Sequence, residues 1–170
     1  MKKNKLSFRA GFTLIEFVIY IGILAILLTL MSSIFTSIVD VQLQSTATSS
    51  VNQDGRYLLS KLLYDVKNSS AILVPANPGT QSSTMQLTIN SINYTYSVNS
   101  SGNLQVVNGT TNETNVLNSY DTSISGLTFT RLGNGGTNDT VRVSYTVTGR
   151  VIERAGQQEI KTFQTTLGSE

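Results

Sequence analysis

Three patterns of apolar and polar positions follow one another along the chain. From Phe12 to Met31 (FTLIEFVIYIGILAILLTLM) the residues are apolar apart from Glu16, two Thr and Tyr20. No formal charge occurs from Phe17 through Val39, 39 − 17 + 1 = 23 residues. A helix needs ~20 apolar residues to cross ~30 Å of hydrocarbon, so this stretch is long enough to span a bilayer. From residue 32 to about residue 70 there is no proline and one glycine, Gly55. Here Val51, Leu58, Leu59, Leu62, Leu63 and Val66 recur at 3–4 spacing, with Gly55 filling the interval, which predicts an amphipathic helix with one apolar stripe. Arg56, Ser60 and Lys67 lie off the stripe, and Lys61 and Asp65 are spaced for an exposed i,i+4 ion pair. Gln44–Ser50 (QSTATSS) is the weakest helix-forming part, because Ser and Thr are mediocre helix formers.

Beyond Ala71 the pattern changes to period two in a background of Asn, Ser, Thr and Gly. Met85–Ile89 and Asn93–Val98 read as strands joined by a short Asn-Ser turn. A turn at residues 99–102 precedes a strand at Leu104–Val107, which ends in the Asn108-Gly109 turn signal. Leu127–Leu132, Thr140–Val151 (TVRVSYTVTGRV) and Glu159–Leu167 continue the alternation, whereas residues 77–83 and 132–139 read as exposed loops. Strands at this spacing without helices between them predict an antiparallel meander. Its one face would pack on the Leu58–Val66 stripe and the other would carry polar residues to solvent. The fold class expected is therefore α+β: a long N-terminal helix, transmembrane in one half and amphipathic in the other, on an antiparallel β-sheet.

Charge sharpens the reading of the N-terminus. The chain has 170 residues and a net charge of +2, but Lys2, Lys3, Lys5 and Arg9 supply four of its twelve positive charges before residue 12. The remainder balances at 8 − 10 = −2, so the basic character belongs to a leader. A basic flank on this side of an apolar span places the N-terminus in the cytoplasm and the rest outside. A cleaved secretory signal would have a 7–15-residue apolar core and a small-x-small site. This run is longer and ends in Leu30-Met31-Ser32-Ser33-Ile34, so a retained membrane helix fits better. Glu16 is the anomaly, since a carboxylate inside a spanning segment costs roughly 2.5–3.5 kcal/mol at the centre and less near an end. It reads either as a snorkelling interfacial residue or as one half of an ion pair inside the membrane.

Gly11-Phe12-Thr13-Leu14-Ile15-Glu16, between a basic leader and an apolar run, resembles the processing signal of type IV prepilins, the family of pili and of type II secretion and competence pseudopilins. The resemblance covers about the first thirty residues. It implies that a membrane prepilin peptidase cuts after Gly11 and N-methylates Phe12, and that Glu16 pairs with the terminal amine of a neighbouring subunit during assembly. The implied segments are a leader at 1–11, an assembly helix at 12–31, an amphipathic helix at 32–70 and a β-sheet head at 71–170. Many major pilins bend the helix with a proline near the end of the apolar segment. Here Ser33 lies in that region and the two prolines are Pro75 and Pro78, so local melting would have to come from Gly22 or the Ser/Thr-rich stretch. One helix from Phe12 to Ser70 would span ~88 Å, a length that suits a filament subunit better than a compact 18.4 kDa domain. Gln53–Ile72 (QDGRYLLSKLLYDVKNSSAI) also resembles minor pilins of the W type and minor pseudopilins of the J type. That likeness implies a minor subunit partnered by the peptidase/methyltransferase, other pilin or pseudopilin subunits and the membrane platform of the assembly machine. After processing it would reside in the inner membrane and then in a surface or periplasmic filament.

Composition narrows the chemistry. With 0 Cys and 0 His there is no thiol nucleophile, Cys/His zinc site or Ser-His-Asp triad, and the expectation is of a non-enzyme without cofactor or metal. Asn134, Asn138 and Asp139, with Asp121 as a poorer addition, could supply oxygen ligands to calcium. Their spacing fits no calcium-loop template, and a flexible hairpin tip is the plainer reading. Asn-x-Ser/Thr triplets at Asn68, Asn93, Asn99, Asn108, Asn112 and Asn138 are what this composition produces. Asp121, Asp139, Glu153 and Glu159 show no glycosidase pairing, and Gly133–Gly136 lacks the Lys-Ser/Thr of a phosphate cradle. The alternative to a purely structural subunit is an adhesive or DNA-receptor pilin. Only five Lys or Arg follow residue 70, among which Arg142 and Arg150 could share a strand face, so the main reading includes no nucleic acid.

Overall fold

The computed structural model describes residues 11–133, 139–152 and 156–169. One α-helix, α1, runs from Leu14 to Lys67, 54 residues. The Ser/Thr-rich segment stays helical, and neither it nor Gly22 interrupts α1. The chain divides into two units, one up to Val41 and one from Gln42 onward.

In the first unit the helix carries apolar residues around its whole circumference, and its large apolar side chains from Leu14 to Ile38 are at least half exposed. Its most apolar 18-residue window has a mean hydropathy of 2.6 and is 0% buried, so it is long and apolar enough to cross a membrane. Thr29 and Thr36 return their hydroxyls to the carbonyls of Ala25 (2.9 Å) and Ser33 (2.9 Å), which satisfies both groups without solvent.

In the second unit the remainder of α1 packs against antiparallel sheets. The strands are β1 (Ala71–Val74), β2 (Gln81–Ser82), β3 (Met85–Ile89), β4 (Ile92–Val98), β5 (Leu104–Asn108), β6 (Thr114–Val116), β7 (Thr122–Arg131), β8 (Thr140–Gly149) and β9 (Ile160–Gly168). They form two sheets instead of the single meander expected, one ordered β1-β3-β4-β5-β6 and the other β2-β7-β8-β9. Period-two alternation tells which residues share a face but not which strands are neighbours, so it cannot separate one sheet from two. The break falls between β6 and β7, and β2, in the segment read as a loop at 77–83, joins the second sheet by pairing with Thr130 and Phe129 of β7. β7 begins five residues earlier than the alternation suggested. Gly126, at φ 60°, sits where its register to β8 shifts between Ser125 and Thr128, so the buried set passes from Thr122 and Ile124 to Leu127, Phe129 and Arg131. The Asn90-Ser91 turn between β3 and β4 has both residues at positive φ, 50° and 65°, as a two-residue hairpin loop requires.

A single core joins Val51, Leu58, Leu62 and Val66 of α1 to Met85, Leu87, Tyr96 and Leu104 of the first sheet and to Phe129, Val141, Val143, Tyr145 and Val147 of the second. The stripe is narrower than expected. Leu59 is only partly buried and Leu63 is 48% exposed, because at 100° per residue Leu63 turns to the flank of the face that holds Leu58 and Leu62. Gly55 is a close approach: a Cβ there would lie 2.1 Å from the Phe163 ring of β9, so the helix can touch that ring only where it has no side chain. The packing predicts that Leu62→Ala costs ~2–5 kcal/mol, whereas Leu63→Ala costs under ~1 kcal/mol. Denaturant unfolding of both variants checks this, and equal losses would contradict the observed face.

Candidate functional site

Three regions carry polar groups whose placement demands a reason. The first is the start of α1. Gly11, Phe12 and Thr13 precede the helix, and Thr13 caps it. The Thr13 amide and hydroxyl each donate to Glu16 Oε2 at 3.3 Å, and the Glu16 amide donates back to Thr13 Oγ1 at 3.4 Å. This is a reciprocal capping box, in which Thr and Glu three residues apart satisfy amides that have no helical partner. A carboxylate in the first turn also opposes the positive end of the helix dipole. The Thr-Leu-Ile-Glu spacing is a visible signal for it, and regarding Glu16 as an isolated charge misses it. Oε1 of Glu16 takes no part in the box, and the residue is exposed. The Phe12 ring meets Tyr20 edge-on at 5.7 Å. A Cβ on Gly11 would have nothing within 4 Å among the described residues, so their fold makes no demand for glycine there.

The second region is polar and buried beneath the helix. Asp54 (8% exposed) accepts through Oδ2 from the Ser119 amide (2.9 Å), the Ser119 hydroxyl (2.7 Å) and the Thr122 hydroxyl. Asp65 (3% exposed) accepts from the Tyr96 hydroxyl and from Lys61 Nζ, both at 2.7 Å. The Lys61–Asp65 pair therefore forms as spaced, but its acidic member is buried instead of exposed. Burial, then the bond to Asp65 and its charge, holds the Tyr96 hydroxyl above the usual phenol range. Burial does the same to Tyr145, whose hydroxyl donates to the Gly55 carbonyl at 2.8 Å. Beside Asp65 a cleft of about 280 Å³ is lined by Lys61, Ile89, Tyr94, Tyr96, Val106 and Asn115 among others.

Arg131 is the third case, a charged residue buried in the second sheet. Its guanidinium donates to the carbonyls of Ile72 (3.2 Å), Pro75 (3.2 Å) and Ala76 (2.7 Å) and pairs with Asp139. Asp139 is 5% exposed, and Ser169 donates its amide to the Asp139 carbonyl at 2.8 Å. The one carboxylate of the loop weighed above for calcium is thus paired with a buried arginine. Asn134 and Asn138 lie outside the described residues, as does Glu153. Asp121 and Glu159 hold the chain through their main-chain carbonyls, bonded to the amides of Arg150 and Gly149. No group of three metal-binding side chains occurs among the described residues. The basic pair also separates. Arg142 is exposed on β8, whereas Arg150 lies beyond the strand end and binds the Thr122 carbonyl (2.9 Å), the Ser101 carbonyl (2.9 Å) and Asn103 Oδ1 (3.0 Å).

No family model matches the chain, no curated protein matches it and no solved structure matches it.

The protonated state of Tyr96 has a measurable consequence. Unfolded tyrosines ionise near pH ~10, while folded Tyr96 keeps its proton, so the native state binds more protons there and stability falls as pH rises beyond ~10. Tyr96→Phe should remove that contribution and lower the alkaline slope of unfolding free energy by up to ~1.4 kcal/mol per pH unit. Unfolding curves between pH ~9 and ~11 measure it, and an unchanged slope would rule out a retained proton.

Proposed function

We propose that the chain is a structural minor subunit of a prokaryotic type IV pilus-like or type II secretion filament. It enters the membrane as a precursor with its N-terminus in the cytoplasm, is cleaved after Gly11 and N-methylated at Phe12, and joins other subunits through its N-terminal helix. The observation that supports this most is the segment Gly11–Glu16, set where a basic leader meets a helix exposed on every side. A helix that is apolar all round needs lipid or other helices about it. Exchange between those two environments is what assembly from a membrane into a filament entails. Its partners in this reading are the prepilin peptidase/methyltransferase, other pilin or pseudopilin subunits and the membrane platform. The ligand-binding alternative, an adhesive or DNA-receptor pilin, loses support because Arg150 is already engaged three ways.

Glycine offers a peptidase an unobstructed backbone, and nothing among the described residues crowds Gly11. Gly11→Val should therefore leave an uncleaved, membrane-inserted precursor; intact mass showing normal maturation would refute the processing reading. Glu16→Gln and Glu16→Val should both be cleaved and stay in the membrane, because removing a charge eases insertion. Both should enter sheared filaments less than wild type, with Val the more defective, since an α-amine is mostly cationic at neutral pH and would lose its partner. Wild-type incorporation of both would make Glu16 a helix cap and nothing more.

A further inference from the structure

The inner face of the first sheet is wider than the helix that covers it. Register places Met85, Tyr96, Val106 and Asn115 side by side across β3, β4, β5 and β6. Met85 and Tyr96 are 0% and 1% exposed, whereas Val106 is half-buried and Asn115 is exposed. The cover of α1 therefore ends near β4, where Asp65 accepts from the Tyr96 hydroxyl. The cleft of about 280 Å³ beside Asp65 lies in the angle so formed, between Lys61 of the helix and the overhanging β5 and β6. Ile89, Tyr94, Val106 and Leu117 give it an apolar floor.

The open hydrogen-bonding capacity of this cleft is mostly that of donors. Asp65 is the one carboxylate lining it, and both oxygens are taken, Oδ1 by Lys61 Nζ and Oδ2 by the Tyr96 hydroxyl, each at 2.7 Å. Lys61 spends one of its three ammonium protons on that bond. Its side chain is 35% exposed against 5% for Asp65, so the ion pair buries its anionic member and turns the cationic one to the cleft. The Tyr94 hydroxyl and the Asn115 amide also line the cleft, and neither side chain has a hydrogen-bond partner among the described residues.

A concave, mostly apolar site with a few converging polar groups is the form that small-molecule sites take. We propose that the cleft binds a small carboxylic acid in its ionised form, with one aromatic ring or branched aliphatic group as its body. Lys61 holds the carboxylate through a charge-assisted hydrogen bond, and Tyr94 and Asn115 supply further donors. The apolar body rests on Ile89, Val106 and Leu117. Volume limits that body: a cavity of ~150 Å³ holds benzene, so about 280 Å³ admits one ring with a short chain. A cationic ligand would be repelled by Lys61, and a neutral alcohol would leave its charge unmatched. Every residue of the site lies in the second unit, so binding requires neither cleavage nor assembly.

The test is methyl NMR of the full chain in detergent micelles, titrated with phenylpropionate at measured free concentrations. Saturable shifts are expected at Ile89, Val106 and Leu117, with none at the buried Leu62 and Val147. Phenylpropanol and phenylpropylammonium share the ring and chain and should bind at least about tenfold more weakly, since a hydrogen bond to a charged group is lost. Asn115 is exposed, so Asn115→Trp should close the mouth of the cleft and abolish the shifts while the core resonances stay in place. Lys61→Gln should weaken phenylpropionate by about the same tenfold and leave phenylpropanol unaffected. If that variant fails to fold because Asp65 loses a partner, the three compounds compared on the unmutated chain decide the charge requirement. Absence of saturable shifts overturns the inference, as do equal affinities for acid and alcohol, or binding that persists in Asn115→Trp.

Discussion

Two carboxylates inside the apolar arc of α1 determine how the helix lies on its sheets. Asp54 and Asp65 occupy positions that the helical repeat assigns to the core, among Val51, Leu58, Leu62 and Val66. A buried carboxylate without partners is costly, so each fixes a distant part of the chain. Asp54 holds the start of β7 through Thr122 and the loop before it through Ser119. Asp65 holds β4 through Tyr96. One thus addresses each sheet, and their separation of eleven residues, about three turns, sets the distance between the two attachments. Apolar packing supplies most of the attraction, but these bonds specify direction and register, because a displacement that breaks them while the helix stays docked leaves a buried carboxylate unpaired.

Much of the fold was legible because its signals are local. The long helix, the β3–β4 hairpin with its Asn90-Ser91 turn and the cores of β7, β8 and β9 follow from spacing alone. What was not legible depends on partners far apart in sequence. Residues 81–82 look like loop until β7 lies beside them. Leu63 looks like core until the width of the sheet beneath the helix is known. Arg131 is the instructive case, for it shares the parity of Leu127 and Phe129, and Asp139 that of Val141 and Val143. The alternation had put both charges on the inner face, but attention to charge as a solvent signal sent them outward.

The start of the helix shows the converse. Glu16 stands out in the sequence as an anomaly, and its neighbours resemble a processing signal, whereas its local work as a cap shows only once the helix start is in place. The two roles are compatible, since the cap uses Oε2 and leaves Oε1 without a bond. A carboxylate held by its own helix start also loses less side-chain freedom on meeting an incoming cation than one that swings freely.

The missing side chain at Gly55 bears on how this head would behave under load. Tension applied along α1 would shear it lengthwise over β9 and β7 instead of peeling it away. Sliding by about one turn toward either end would bring the side chain of Val51 or Leu59, which share the face of Gly55, onto the Phe163 ring, where even a methyl group does not fit. The contact therefore works as a stop in both directions: it is weak against lifting and steep against sliding. The Asp54 bonds to Ser119 and Thr122 lie a single residue from it, so that stop and those bonds would take the strain together.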